Sequence, residues 1–329
     1  MRLPRLGKPR MPEFKKGLVW LNGKPLNAKA LLGKVVLIDF FTYSCVNCIR
    51  TLPHIKRWQE RYGRRGLVII GIHAPEFGFE HVEANAKRAI RDLDITYPVV
   101  LDNSYVMWNL FANRFWPGKY VINAEGRIIF DHAGEGGYAE TERAIQEALT
   151  ALGKRDLPEV PADEVAGGEV CYPTTPEVYL GYLRGILGNA HDILPDSEEA
   201  FTDKGDHKDD VPYLHGHWRM TKEYVEHTRS LPTASEYIAL RYSSLAANLV
   251  MGAEKKMFVE VRLDENPVPA AMRGADIIER NGKTCIEVGD HRMYSLVSSD
   301  AYHRGTIKVL AAGAGLQCFA FTFLGCQTD

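Results

Sequence analysis

Val35-Val36-Leu37-Ile38-Asp39-Phe40-Phe41-Thr42-Tyr43-Ser44-Cys45-Val46-Asn47-Cys48 is the stretch that decides how the first half of this chain is read. Val35 to Phe41 is an apolar run broken only by Asp39, the pattern of a central strand buried on both faces. Beyond Cys48, Ile49, Leu52, Ile55 and Tyr62 recur at near-helical spacing and close at Gly63. A CxxC has two common readings, half a zinc site or a redox pair. Zinc would need two further ligands, and no other cysteines lie within four residues of each other. A buried strand before the pair and a helix after it favour redox. Cys45 falls at the first helical turn, where unpaired N–H groups and the helix dipole stabilise a thiolate, so it is expected to attack. Cys48, one turn further in, is expected to be more buried and to resolve a mixed disulfide.

Working outward, the first half alternates strands and helices. Trp20-Leu21-Asn22, the turn Gly23-Lys24-Pro25 and Leu26 to Leu32 suggest a hairpin and a short helix. Leu67 to Ile72 and Tyr97 to Leu101 read as strands, with a helix over Val82 to Leu93 between them and a short one over Ser104 to Asn113. Lys119 to Asn123 and Arg127 to His132 form a hairpin, and a last helix runs from about Glu140 to Leu152. Such alternation calls for a mostly parallel sheet covered on both faces.

The residues around the pair resemble the thioredoxin superfamily. Asp39 stands six residues before Cys45, where the family carries a buried acid on a strand, and Pro53 stands at its helix-kinking proline. Trp116-Pro117, before the strand Lys119 to Asn123, resembles the cis-proline loop that faces the disulfide and pairs with a substrate chain. The inserted helix and strand between Gly71 and Leu101, with Gly33-Lys34-Val35-Val36, place this α/β domain near the TlpA-like branch. The likeness covers roughly residues 14–153. The chain departs from the family at three points. The central dipeptide is Val46-Asn47 rather than Gly-Pro, and Ser44 replaces the usual tryptophan. The lysine that faces the buried acid has no counterpart in Ile70-Gly71-Ile72. Without a cationic neighbour, Asp39 is expected to have a raised pKa and to take the proton from Cys48; the alternative is a buried acid with no part in turnover. Glu76, after a central strand, is a second acid expected near the same end of the sheet, or else a solvated loop acid.

Residues 154–170, rich in Pro, Gly and acids, read as a linker between a first domain (1–153) and a second (171–329). Beyond it the pattern has period two, with seven strands expected: Tyr237–Tyr242, Leu249–Met251, Met257–Leu263, Cys285–Val288, Tyr294–Val297, Thr306–Leu310 and Gln317–Phe323. Their spacing suggests an all-β sandwich or jelly roll. Apolar residues on both faces of the last strand mark it as central. Thr175 to Tyr182, Val250-Met251-Gly252 and Gly315 to Phe323 resemble the carbohydrate-binding-like β-sandwich at the C-terminus of DipZ-type proteins. That resemblance raises a carbohydrate ligand, with Tyr213, Trp218, Tyr224, Tyr237 and Tyr242 as stacking faces or, alternatively, as core. The eight acids of 192–210 suit a solvated loop better than calcium. His215 and His217, with His207, could ligate a metal but serve equally well as surface histidines.

A net charge of −2 over 329 residues gives no reason to expect nucleic acid. Six basic residues crowd positions 2–16, but Pro4, Pro9 and Pro12 make that segment a solvated arm rather than a binding helix. No segment is apolar enough to span a membrane and none resembles a signal peptide, so the chain as written is expected in the cytoplasm. A missing upstream segment would make it extracytoplasmic. Cys171, Cys285, Cys318 and Cys326 are expected to be buried free thiols rather than bridges.

The expected function is a thiol–disulfide oxidoreductase that needs no cofactor beyond the Cys45–Cys48 disulfide. Its partners would be a protein disulfide and a thiol electron donor. Two alternatives stay open. One is a peroxiredoxin-like peroxidase, since Thr42-Tyr43-Ser44-Cys45 satisfies T-x-x-C although Ile38 stands where that family has proline. The other is a binding module with a regulatory redox pair.

Overall fold

The structure, a computed structural model, describes residues 8–160, 171–190 and 194–326. The chain divides into two compact units, Met1–Gly168 and Glu169–Asp329. The expected linker lies outside the described residues from 161 onward, as do Arg2 and Arg5 of the basic arm and Asp192 of the acidic stretch.

The first unit runs β1 (Val19–Leu21), α1 (Ala28–Leu31), β2 (Val35–Phe41), α2 (Val46–Tyr62), β3 (Leu67–His73), α3 (Glu83–Asp92), β4 (Val99–Leu101), α4 (Val106–Leu110), β5 (Gly118–Ile122), β6 (Ile128–Ala133) and α5 (Tyr138–Ala151). Its sheet has the order β1-β4-β3-β2-β5-β6. β2, β3 and β4 are parallel, while β5, β6 and β1 are antiparallel to their neighbours. β1 does not form the expected hairpin. It pairs with β4, Val19 opposite Leu101, because the chain crosses by α1 before entering the sheet at its centre.

All seven residues of β2 are buried. Alternation sends Leu37 and Phe41 to a core shared with Cys48, Leu52, Ile55 and Trp58, and Ile38 and Phe40 to a core with Ile70, Ile72, Met107 and Phe111. Asp39 therefore faces the side that carries α2. The far end of α2 is anchored on α5: Trp58 Nε1 and Tyr62 Oη donate to the buried Glu142 carboxylate at 3.1 and 2.5 Å. Arg61 supplies the opposite charge at 3.0 Å. A buried carboxylate with these partners is satisfied, and it fixes the helix whose first turn carries the cysteines.

The second unit contains β7 (Val178–Tyr179), β8 (Glu198–Phe201), β9 (Pro212–Met220), β10 (Val225–His227), β11 (Glu236–Gly252), β12 (Met257–Leu263), β13 (Asn266–Pro267), β14 (Ile278–Arg280), β15 (Lys283–Val288), β16 (Arg292–Ala311) and β17 (Gln317–Leu324). The strand-rich class is as expected, but four of the expected strands merge into the long β11 and β16. β11 pairs with β9 through Tyr237–Leu240 and with β17 through Ala246–Gly252, changing partner at bulges between Ser244 and Asn248. Bulges bend a strand and let it turn a corner between layers. One continuous hydrogen-bonded sheet thus surrounds a single core that includes Trp218, Leu240, Val261, Tyr294 and Phe321. β17 is central, between β11 and β10, with Cys318 through Thr322 buried.

The cysteine expectation is half overturned. Cys285 and Cys318 are buried free thiols, but Cys171 and Cys326 form a disulfide. The two lie 155 residues apart and meet as an isolated antiparallel pair, a proximity that spacing cannot reveal. Among the described residues no helix is long and apolar enough to cross a membrane.

A bridge closing so long a loop restricts the unfolded chain, typically by about 2–5 kcal/mol. Replacing both Cys171 and Cys326 by Ser should lower the second unit's stability by that order, read as amide protection in β17 lost at lower urea. Unchanged protection would show that the bridge adds no constraint.

Candidate dithiol site

The sheet delivers Cys45 directly. β2 ends at Phe41, Thr42 to Ser44 turn the chain, and Cys45 is the N-cap of α2. Its sulfur receives the backbone N–H of Cys48 at 3.4 Å, and its carbonyl accepts from Ile49 N–H at 3.0 Å. Cys45 is half-buried; Cys48 is 2% exposed. Burial pushes the Cys48 thiol well up, the adjoining Cys45 sulfur and the Asp39 carboxyl add to this, and a bond with the Thr42 backbone opposes it. The pair is therefore asymmetric, with one sulfur reachable at a helix N-terminus and one kept protonated behind it.

Asp39 is 1% exposed, and burial pushes its carboxyl up to about 7. The expectation that it has no cationic neighbour is wrong. Lys119, wholly buried, stands directly across from Asp39 in the β2–β5 register, and its charge pulls the Asp39 carboxyl back down. Lys119 Nζ donates to Gly134 O at 3.1 Å and lies 5.3 Å from the centre of the Tyr138 ring. Burial in turn lowers the lysine's own pKa, with Asp39 and Cys48 opposing. The cation comes from the strand on the other side of β2; at Gly71, opposite Asp39 on β3, there is no side chain at all.

The acid that reaches the turn before Cys45 is Glu80, not Glu76. Glu80 is wholly buried and accepts from Thr42 Oγ1 at 2.5 Å, Ser44 Oγ at 2.6 Å and Ser44 N–H at 3.3 Å. It also accepts from the N–H groups of Glu76 at 2.5 Å and Phe77 at 3.0 Å. Burial raises its pKa, against the pull of the Ser44, Thr42 and Phe77 bonds. Glu76 is half-buried and contributes its backbone here. No capping signature marked it in the sequence, because Phe77, the N-cap of this one-turn helix, has no side-chain acceptor; the bonds of Glu80 to Thr42 and Ser44 arise only in the fold. Below this turn the His73 ring stacks on Tyr43 with centroids 5.4 Å apart, and burial lowers its pKa to about 3, leaving it neutral.

The Trp116–Pro117 peptide bond is cis. Phe40 pairs with Gly118, so Pro117 stands at the end of the sheet where β2 turns toward Cys45. Trp116 Nε1 donates to Ala74 O at 3.0 Å, and its ring packs on Trp108 at 4.5 Å. The fold therefore brings Asp39, Cys45, Cys48, Trp116 and Pro117 to one end of one sheet.

Of the side chains singled out in the second unit, His207, His215 and Tyr237 gather around Asp203, to which Tyr237 Oη donates at 3.0 Å, while His217 lies apart. His207 goes to Asp203 at 2.7 Å, His217 to Glu198 at 3.1 Å, and His215 stacks on Tyr237. Among the described residues no group of three or more His, Cys, Asp or Glu is placed to hold a metal. Tyr213, Trp218 and Tyr242 are buried, and Tyr224 and Tyr237 are half-buried.

Comparison with known proteins agrees with this geometry. The AhpC/TSA family matches residues 9–130, and the family described as Thioredoxin like C-terminal domain matches 175–323. Protein DipZ of Mycobacterium bovis is 31% identical over 318 residues, which cover 95% of this chain and 42% of DipZ. The chain thus spans less than half the length of that relative. Thiol-disulfide oxidoreductase YkuV of Bacillus subtilis is 26% identical over 42% of this chain and 93% of its own. NHL repeat-containing protein 2 of Homo sapiens is 40% identical over 38% of this chain and 18% of its own.

Removing Glu80 would strand several buried donors, each at a cost of about 1–3 kcal/mol. Glu80→Ala should therefore lower the first unit's unfolding free energy by at least ~2 kcal/mol in urea, and Glu80→Gln by less. A loss below about 0.5 kcal/mol, the size of a surface change, would contradict that role.

Proposed function

We propose that this chain, a thioredoxin-like domain of the AhpC/TSA family joined to a Thioredoxin like C-terminal domain, is a protein-disulfide oxidoreductase working through Cys45 and Cys48. The observation that carries this reading is the asymmetry of the pair. Cys45 caps α2 with an N–H on its sulfur, while Cys48 lies buried beside a carboxyl that titrates near neutrality. In the reducing direction the Cys45 thiolate attacks one sulfur of a protein disulfide and the other leaves as thiolate. Cys48 then passes its proton to Asp39 and attacks the Cys45 sulfur. The bond from Cys45 to the partner breaks, and two electrons have moved to the substrate. The product is the Cys45–Cys48 disulfide, which a dithiol donor must reduce before another cycle. Trp116 and Pro117 border the place where the partner chain would lie.

The match to the AhpC/TSA family favours weighing a thiol peroxidase as well. In that reading Thr42 would present its hydroxyl to peroxide beside Cys45. Here the Thr42 hydroxyl donates to Glu80, which turns its hydrogen away from the sulfur. Disulfide exchange is the better reading. The exposed Cys171, bridged to Cys326, supports an extracytoplasmic setting, because such bridges persist in oxidising compartments.

Iodoacetamide at mildly acidic pH should modify Cys45 and spare Cys48, and preferential labelling of Cys48 would reverse the assignment. Cys48→Ser should accumulate mixed disulfides with partner proteins, whereas Cys45→Ser should trap few or none. The reduced protein should cleave insulin disulfides far faster than it consumes hydrogen peroxide. A peroxide rate well above that of a free thiolate, surviving Cys48→Ser, would favour the peroxidase.

A further inference from the structure

Buried polar atoms on the α2 side of the first sheet that lack a hydrogen-bond partner among the described residues include Asp39 Oδ1, Tyr97 Oη and His73 Nδ1. Asp39 and Tyr97 are each 1% exposed. A buried polar group without a partner is costly, so Asp39 and Tyr97, close together on one face, call for an explanation. The β2–β3 register and the placement of the Tyr97 ring bring the two residues close, with no hydrogen bond between them in the structure. Asp39 pairs with Gly71 on β3, and the Tyr97 ring lies over that glycine. A Cβ at position 71 would meet the Tyr97 ring at 3.1 Å and the Phe41 ring at 2.9 Å. The missing side chain at 71 is what lets a phenol lie beside the strand position of Asp39.

We propose that Tyr97 is a positioning residue for Asp39: its hydroxyl is the hydrogen-bond donor taken up by the Asp39 carboxylate when that group is ionised. The ionised form is the one able to accept the Cys48 proton, so this proposal rests on the exchange reading above. Tyr97 itself neither gives nor takes a proton in turnover. The Cys48 proton goes to Asp39, the Cys48 sulfur bonds to the Cys45 sulfur, and the electron pair of the broken bond leaves on the partner's sulfur.

The groups around Asp39 have separable parts. Lys119, from β5, already donates to Gly134 O and acts on Asp39 through its charge, with Glu135 acting in turn on Lys119. Cys48, with Cys45 beside it, comes from α2. His73, two residues along β3 from Gly71, is neutral. Tyr97 is buried so fully, with Asp39 and Cys48 adding to the effect, that its phenol stays protonated at any working pH. It is a permanent donor beside an intermittent charge. A hydrogen bond to the charged form favours that form and draws a carboxyl's titration downward.

The test is the titration of Asp39 in the full chain labelled with 13C-aspartate, its signal assigned by its loss in Asp39→Asn. Tyr97→Phe should move the midpoint up by roughly one pH unit from that of the unaltered chain, while leaving the urea midpoint at pH 5 unchanged. Gly71→Ala, which displaces the ring, should move it the same way and serves if the first variant folds poorly. Lys119→Met should also raise it, through loss of charge. A midpoint unmoved in Tyr97→Phe or Gly71→Ala, with Lys119→Met shifted, would overturn the role of Tyr97. Because the readout is a titration and not turnover, absence of insulin reduction would defeat the exchange reading alone.

Discussion

Keeping a carboxyl group inside the first domain's central strand is the constraint to which the rest of this site answers. Asp39 sits where every neighbour on β2 is apolar, and burial alone would hold it protonated far above the usual carboxylate range. Lys119 across the β2–β5 pairing offsets part of that effect, and the result is an acid that changes charge near neutral pH. An acid poised there can accept a proton from Cys48, a thiol that the same burial makes reluctant to ionise. The position of α2 follows from the same core: its far end is tied to Glu142, and its first turn is left to present Cys45.

How much of this could be read beforehand follows from the range of each interaction. The buried strand, the CxxC, the helix after it and the acid six residues before lie within one short segment, and all of them were legible. Trp116-Pro117 was legible through its resemblance to a known loop. Lys119 was not, because its relation to Asp39 exists only in the register of two strands about eighty residues apart in sequence. An expectation tied to the β3 position saw Gly71 and concluded that no cation was present, when the cation had come from the other neighbour. Glu80 is illegible for a similar reason: its carboxylate collects Thr42 and Ser44 from a loop distant in sequence, a proximity that exists only in the fold. Cys171 and Cys326 were misjudged because a pairing across 155 residues leaves no periodic trace.

The second domain follows the same rule at larger scale. Alternation found β12, β15 and β17, left β7 to β10, β13 and β14 out of the expected set, and divided β11 and β16, since a bulge interrupts period two without ending the strand. The aromatic residues that raised a carbohydrate ligand are buried or half-buried in the structure, where they contribute packing.

The central claim is that Asp39 receives the Cys48 proton as the mixed disulfide is resolved. Mixing the reduced chain with Ellman's reagent in a stopped-flow instrument releases one chromophore on attack by Cys45 and a second on resolution by Cys48. The rate of the second release should rise with pH through a midpoint near 7, and Asp39→Asn should abolish that rise while leaving the first release unchanged. A second release that keeps the same midpoint in Asp39→Asn would contradict the claim.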